Sequence, residues 1–282
     1  MSKETILLLI NPFANKKKVK KIVGQIKIVL TGNKLAFVTF TKAWPVEIND
    51  YKEVWIIGGD GTLNYFLNFY KHVEIPIVIF KGGTGNDFAG KLYGDMNVGE
   101  QIKTVLAAEP ARVDAAICNG MKFINAVGIG FDGEVLKSMN AIRLLGGHLG
   151  YLWIVFKKIF FFKEGYFNIC YDDKNLSEKF LLVMITNSTT TGGGFKVSPE
   201  ARVDDGKLNM VLCKPLPVIK RLKSLPLIEK GKHLQKDFIL HKEVSNVKIV
   251  CEKNMPAQID GELIFAKIFD IKMLLGKYLF KY

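Results

Sequence analysis

A chain of 282 residues, 49% hydrophobic and 24% charged, is long enough for one large or two modest domains and too apolar to be disordered or fibrous. Its formal net charge of +13 favours an anionic partner, whether a phosphorylated small molecule, a membrane surface or nucleic acid, and the sign alone does not choose among them. Cys118, Cys170, Cys213 and Cys251 form no C-x-x-C pair and have no nearby histidine cluster, which excludes a disulfide framework or Cys/His zinc site and predicts reduced, buried thiols.

The N-terminal run MSKETILLLINPF is too short for a secretory apolar region and closes on Asn-Pro, so a cytoplasmic protein is expected. From there the chain alternates short β-like runs with amphipathic segments: TILLLI, KKKVKKIVGQIKIVL, LAFVTF, EVWII, GTLNYFLNFYKH and IPIVIF. That alternation predicts βαβ units around a parallel sheet. The basic run from Asn15 to Lys21 reads first as the solvated face of the first helix.

After about Val113 the pattern changes. RVDAAICNG, MKFINAVGIGF, YFNICYDD, EKFLLVMITNST, KLNMVLCK, SNVKIVCEK, PAQIDGE and FDIKMLLG read as short strands separated by Gly, Asn, Asp and Pro turns, the spacing of an antiparallel sandwich. Two helical insertions interrupt it, at about Glu134 to Phe162 and Pro217 to Lys230. The first carries YLWIVFKKIFFF, read first as core packing and second as an interfacial helix over anionic headgroups. Its least charged stretch, LLGGHLGYLWIVF, falls short of the roughly 20 residues of a membrane span.

Two glycine-rich turns carry the chemistry. In VWIIGGDGTLNYF a strand ends on Gly58-Gly59-Asp60-Gly61 and a helix follows, so unpaired backbone N–H groups face the turn. Glycine permits close approach of a phosphate there, and the Asp60 carboxylate suits a phosphate-bound Mg²⁺ or a hydroxyl proton. The spacing is neither G-x-G-x-x-G nor a P-loop. The second turn, in VIFKGGTGNDFAG (78–90), follows the next strand, and turns at the C-terminal ends of neighbouring parallel strands share one crevice.

GGDGTLN followed by GGTGNDFA resembles the diacylglycerol kinase catalytic domain, and specifically the soluble bacterial lipid kinases related to diacylglycerol and sphingosine kinases. The resemblance continues, in the family's order, through NAVGIGFDGEV (125–135), TGGGFKVSPEARVDDGKLNMVL (191–212) and QIDGEL (258–263). It implies an α/β plus all-β architecture: an N-terminal three-layer α/β nucleotide-binding domain over 1–118, rejoined by 266–282, and a C-terminal antiparallel β-sandwich lipid domain over 119–265 with helical insertions. It implies ATP and Mg²⁺ as cofactors and a membrane lipid as acceptor; the alternatives are an NAD kinase-type enzyme, which shares GGDGT but phosphorylates a soluble acceptor, and a non-catalytic regulator that binds nucleotide or an anionic membrane. Diacylglycerol-like, phosphatidylglycerol-like and sphingoid or ceramide-like acceptors stay open, as do peripheral membrane association and a homodimer. No nucleic-acid-binding motif accompanies the charge.

Carried over residue by residue, the resemblance assigns Asn11, Thr41, Gly58, Gly59, Asp60, Gly61, Thr62, Leu63, Asn64, Tyr65 and Thr84 to the nucleotide, with Thr39 as a rival for Thr41. A structural Mg²⁺ would take the Asp205 carboxylate and the backbone carbonyls of Arg202 and Lys207, hard oxygen donors for a hard cation. Glu262 of QIDGEL would be the catalytic base, with Asp60 as the second active-site carboxylate. Tyr65 stands where the family usually has an acid, and Asn15 where a glycine is common.

Overall fold

The computed structural model describes residues 3–141 and 148–282. It divides into two compact units, Met1–Val113 with Gly276–Tyr282, and Asp114–Leu275.

The first unit runs β1 (Ile6–Ile10), α1 (Lys16–Gly32), β2 (Phe37–Phe40), β3 (Glu53–Gly58), α2 (Asp60–Phe69), β4 (Ile77–Lys81), α3 (Asp87–Tyr93), α4 (Val98–Ala107) and the start of β5 (Ala111–Cys118). Its strands are parallel in the order β2-β1-β3-β4. Strands β1 and β3 are buried along their whole length, which accounts for their unbroken apolar runs. In α1, Val19, Ile22, Ile26 and Leu30 recur at helical spacing and are buried, while Lys16, Lys17, Lys18, Lys20 and Lys21 stand in solvent. The basic run is therefore the outer face of this helix. The Asn15 side chain caps it by accepting the Lys18 N–H at 3.2 Å.

The chain steps from β1 to β2 in one direction across the sheet and from β3 to β4 in the other. Right-handed crossovers then put α1 and α2 on opposite faces. Strand order reverses between β1 and β3, so the crevice at their C-terminal ends is where an open α/β sheet takes a ligand.

The second unit continues with β6 (Met121–Phe123), β7 (Ala126–Gly130), α5 (Phe131–Ala141), α6 (His148–Phe161), β8 (Gly165–Tyr171), β9 (Lys174–Phe180), β10 (Leu182–Thr186), β11 (Leu208–Cys213), α7 (Val218–Glu229), β12 (Ile239–Val244), β13 (Asn246–Ile259) and β14 (Glu262–Phe280). Antiparallel pairs run β12-β11-β10-β7-β13. Strand β13 pairs with β8 through Val247–Cys251, breaks register between Val250 and Met255, then pairs with β7 through Ala257–Ile259. A bulge of this kind bends a strand from one sheet of a sandwich into the other. Alternate residues (Val127 and Ile129, Phe167 and Ile169, Val183 and Ile185, Leu208, Met210 and Leu212) fill the core between the sheets, as a period of two requires.

Among the described residues the two insertions form α5, α6 and α7, and positions 142–147 of the first lie outside them. Only half of the aromatic stripe is core: Ile154, Val155 and Ile159 are buried against Val135 of α5 and Leu222 and Leu225 of α7, whereas Trp153, Phe156, Phe160 and Phe161 are exposed. The reading of the stripe as core is corrected to that extent, because α6 has a single buried face and aromatic residues occupy the other. The thiols need one correction as well. All four cysteines are free, but Cys170 is exposed on β8, where it falls on the outward side of the alternation.

The last residues of β14 return to the first unit, with Phe280 pairing in parallel with Ile77. Lys281 donates to the buried Glu53 at 3.1 Å, and the Trp55 indole N–H reaches the other carboxylate oxygen at 2.7 Å. The Tyr93 hydroxyl donates to the Lys281 carbonyl at 2.8 Å. A charge this deep is tolerated only when paired. Lys281→Met, which keeps the bulk and removes the cation, should lower the unfolding free energy by about 3–5 kcal/mol in urea titrations.

Candidate functional site

Residues of the first glycine turn and of the loop after β1 are stitched together. Asn11 donates its side-chain N–H to Thr62 Oγ1 at 2.7 Å, and Asn11 Oδ1 accepts the Phe13 N–H at 2.8 Å. The pocket beside them, of about 380 Å³, is lined by Asn11, Pro12, Phe13, Thr41, Lys42, Trp44, Gly61, Thr62, Tyr65 and Phe69. Asn11, Thr41, Gly61, Thr62 and Tyr65 are thus brought to one place. Thr39 lies on β2 instead, outside that lining. Leu63 and Asn64 are buried on the inner side of α2, and Thr84 is exposed on the second turn, away from the pocket wall.

Tyr65 belongs to an aromatic wall. Its ring meets Trp44 edge-on at 5.5 Å and stacks on Phe69 at 5.4 Å. The missing acid is therefore replaced by a flat apolar surface, a different contact from a carboxylate.

The glycines have a reason in packing. A Cβ on Gly59 would lie 2.3 Å from the Gly85 carbonyl oxygen, and one on Gly83 would lie 2.5 Å from Gly59 Cα, so the two turns touch backbone to backbone. A Cβ on Gly61 would meet nothing within 4 Å. Asp60 Oδ2 accepts the Asp87 N–H at 2.8 Å and Oδ1 accepts the Phe88 N–H at 3.0 Å. Its own N–H reaches the Gly85 carbonyl at 3.1 Å. The carboxylate thus ties the first turn to the opening of α3.

In the second unit, Asp260 and Gly261 have φ of 47° and 88° and make the two-residue turn between β13 and β14. The Asp260 carboxylate accepts N–H groups of Ile124, Asn125 and Ala126 at 2.7–2.9 Å, and Gln258 Oε1 accepts the Gly261 N–H at 2.8 Å. This fixes the turn and leaves Glu262, the first residue of β14, exposed. On the RVDDGKL loop, Gly206 (φ 73°) donates its N–H to Asp114 Oδ2 at 2.7 Å, and Asp205 Oδ1 accepts the Lys207 N–H at 3.0 Å. The Lys207 ammonium bonds Glu243, and Arg202 pairs with Asp204 at 3.2 Å. Both basic side chains are turned to these acids. Asp205 therefore sits on a braced loop beside the backbone of Arg202 and Lys207. Among the described residues no group of three or more His, Cys, Asp or Glu could hold a metal, so any cation here depends on carbonyl oxygens and water.

The reading of the sequence did not single out Asp132, at the start of α5. A Cβ on Gly133 would lie 2.2 Å from the Pro256 carbonyl oxygen, and one on Gly128 would lie 2.2 Å from Asp132 Oδ2. GIGFDG thus lets α5 press on β13 while making room for the carboxyl. Asp132 lines a cavity of about 100 Å³ whose walls include Val155, Ile159, Leu182, Met184, Phe195 and Leu225. Of the other polar lining groups, Arg221 is spent on the carbonyls of Leu216, Ile159 and Phe162 and on Glu164, and Ser224 on the Lys220 carbonyl. Desolvation pushes the Asp132 carboxyl up to about 6, with the nearby Gln258 side chain acting to lower it. The signal available in the sequence was its place between two glycines within a quoted motif.

A folded pKa above the unfolded value means that the folded state binds the proton more tightly, so the Asp132 contribution becomes destabilising as pH rises from about 4 to about 6. Asp132→Asn should raise the melting temperature at pH 7.5, with the gain shrinking towards pH 4.5. Gly59→Ala should do the reverse and cost about 1–3 kcal/mol by overpacking, read by the same melts.

The diacylglycerol kinase catalytic domain matches residues 5–118, and the YegS C-terminal NAD kinase beta sandwich-like domain matches residues 125–268. A Chromohalobacter salexigens protein named "Probable lipid kinase YegS-like" is 27% identical over 78% of this chain and 72% of its own length. The diacylglycerol kinase of Staphylococcus carnosus is 23% identical over 90% of this chain and 87% of its own. Among solved structures, a diacylglycerol kinase from Bacillus anthracis aligns with a TM-score of 0.71 at 22% identity, covering 99% of this chain and 97% of that one. An Archaeoglobus fulgidus NAD kinase in complex with ATP shares the fold at 0.58 and 13%, over 98% and 93%. With both halves matched in order, the chain belongs to the lipid kinase family that joins a diacylglycerol kinase catalytic domain to a YegS-type β-sandwich domain.

Proposed function

We propose that the protein transfers the γ-phosphoryl group of ATP, with Mg²⁺, to a hydroxyl of a membrane lipid. The observation that carries the lipid half of this reading is the cavity of the second unit. Its walls are mostly aliphatic and aromatic, and Asp132 is the one carboxylate among its described lining residues. An acyl chain matches such walls, and a carboxylate at the wall can accept a hydrogen bond from a lipid hydroxyl or, for a sphingoid-like acceptor, pair with an amine.

For the nucleotide half, the pocket at Asn11, Thr41, Gly61, Thr62 and Tyr65 lies at the reversal of strand order, and open space at Gly61 leaves the helix start accessible to phosphate. Trp44, Tyr65 and Phe69 offer a surface on which a purine can stack. Gly58, Gly59 and Thr84 shape the paired turns; Leu63 and Asn64 act from within α2.

In the reaction the lipid hydroxyl oxygen attacks the γ-phosphorus, the bond to the bridging oxygen of ADP breaks, and the proton passes to the Glu262 carboxylate. Asp60 keeps the two turns in register for the phosphates. Mg²⁺ would supply charge neutralisation on the phosphates, and a second, structural ion would be held by Asp205 with the carbonyls of Arg202 and Lys207.

The test is labelled ATP, Mg²⁺ and a panel of diacylglycerol, phosphatidylglycerol, sphingosine and ceramide in mixed micelles, with NAD as the soluble control. Label should appear in one lipid class. Label in NAD alone, or in nothing while ATP binds, sinks the reading. Glu262→Gln should cut turnover by roughly 10²- to 10⁴-fold with ATP binding retained.

A further inference from the structure

Helix α6 has two faces with opposite chemistry. Val155 and Ile159 point inward and wall the cavity that holds Asp132. Trp153, Phe156, Lys157, Phe160 and Phe161 recur at i, i+3, i+4, i+7 and i+8 on the other side. Trp153 is 62% exposed and Phe161 76%, in a row that no other described element covers. Four exposed large aromatic residues on one turn-aligned face of a helix are far outside the scatter of single apolar residues expected on a protein surface.

The surroundings of that row are basic. Phe161 also lines a groove with Lys137, Lys158, Lys163, Lys253, Glu134, Glu164, Glu252 and Phe265. Phe265 is itself exposed, with the Lys137 ammonium over its ring at 5.8 Å. Glu134 is bonded by Lys158 at 2.7 Å and Glu164 by Arg221, which offsets the charge of both acids. Lys157, Lys163 and Lys253 stand exposed around the aromatic row, against the exposed Glu252. The rim therefore carries positive charge and the centre carries rings.

We infer that the outer face of α6, with Phe265 and the neighbouring lysines, is the surface by which the protein docks on an anionic phospholipid bilayer. Aromatic rings enter the boundary between headgroups and acyl chains, and ammonium groups meet the phosphates above them. Charge complementarity selects a bilayer over an apolar protein partner, since the lysines ring the rings rather than lying apart from them. The surface sits on the same helix as two walls of the cavity, so a docked α6 would have the bilayer on one side and the proposed acyl site on the other. This deepens the lipid kinase reading and rests on it only for that last consequence.

The experiment is co-sedimentation of the full chain, without ATP or acceptor, with vesicles of phosphatidylcholine alone or with phosphatidylglycerol. Binding should require the anionic lipid and weaken in 0.5 M KCl, a concentration of about three times physiological. Phe156→Asp with Phe160→Asp should lower vesicle affinity by roughly tenfold or more, at unchanged melting temperature, and Phe156→Trp with Phe160→Trp should retain it. Lys157→Glu with Lys163→Glu should lower it by about an order of magnitude. Wild-type binding by the aspartate pair overturns the inference. So does a chain that ignores both vesicles but changes from dimer to monomer with that pair, since the face then joins two copies. Turnover of water-soluble dihexanoylglycerol separates the two readings: if the aspartate pair keeps it and loses vesicle binding, docking stands; if no variant turns over any lipid while vesicle binding behaves as described, only the kinase reading fails.

Discussion

The first unit depends on a close approach of two backbones. Gly59 and Gly83 meet with no room for a Cβ between them, and neighbouring turns pack like this only if something holds them against the loss of chain entropy. Asp60 does so, by giving both carboxylate oxygens to the first N–H groups of α3. Unpaired amides at a helix start attract an anion, and here the protein provides its own. The space beside Gly61 and Thr62 then stays open at the start of α2.

The second unit repeats the device. Asp260 receives three backbone N–H groups from the segment leading into β7, Asp114 receives that of Gly206, and Asn187 donates to the carbonyls of Asp114 and Ile124 at 3.0 Å each. Each is a short acidic or amide side chain spent on main chain at a turn, where regular strand pairing ends and polar groups would otherwise be buried without partners. Asp132 differs. It stands by apolar walls with its proton affinity raised, and such a group is worth its cost to stability chiefly where a ligand will use it.

Fold class was legible because two periods were: the α/β alternation before Val113 and the two-residue alternation after it. The family was legible from the order of its motifs. What escaped was the direction in which individual residues point. Sequence spacing marks Trp153, Phe156 and Phe160 as one face of a helix without saying whether it is covered, since rings at that spacing serve a core and a surface equally. Cys170 carried no sign of its exposure for the same reason. Tyr65 had no reading beside a motif that expects an acid, because Trp44, the ring it meets, lies 21 positions earlier and only folding brings the two together. Asp132 escaped because the apolar walls around it come from α6, α7, β10 and the segment near Phe195, all far along the chain.

The pairing of Phe280 with Ile77 and of Lys281 with Glu53 has a consequence for the order of assembly. The first unit is translated in two instalments, separated by the whole of the second. While the second is being made, the β4 edge lacks its partner and Glu53 has an indole N–H but no cation. A nascent chain would therefore carry an incomplete parallel sheet while the strands of the second unit are already available to one another, and the later unit can close before the earlier one does. The last few residues act as a latch on a domain begun more than two hundred residues before.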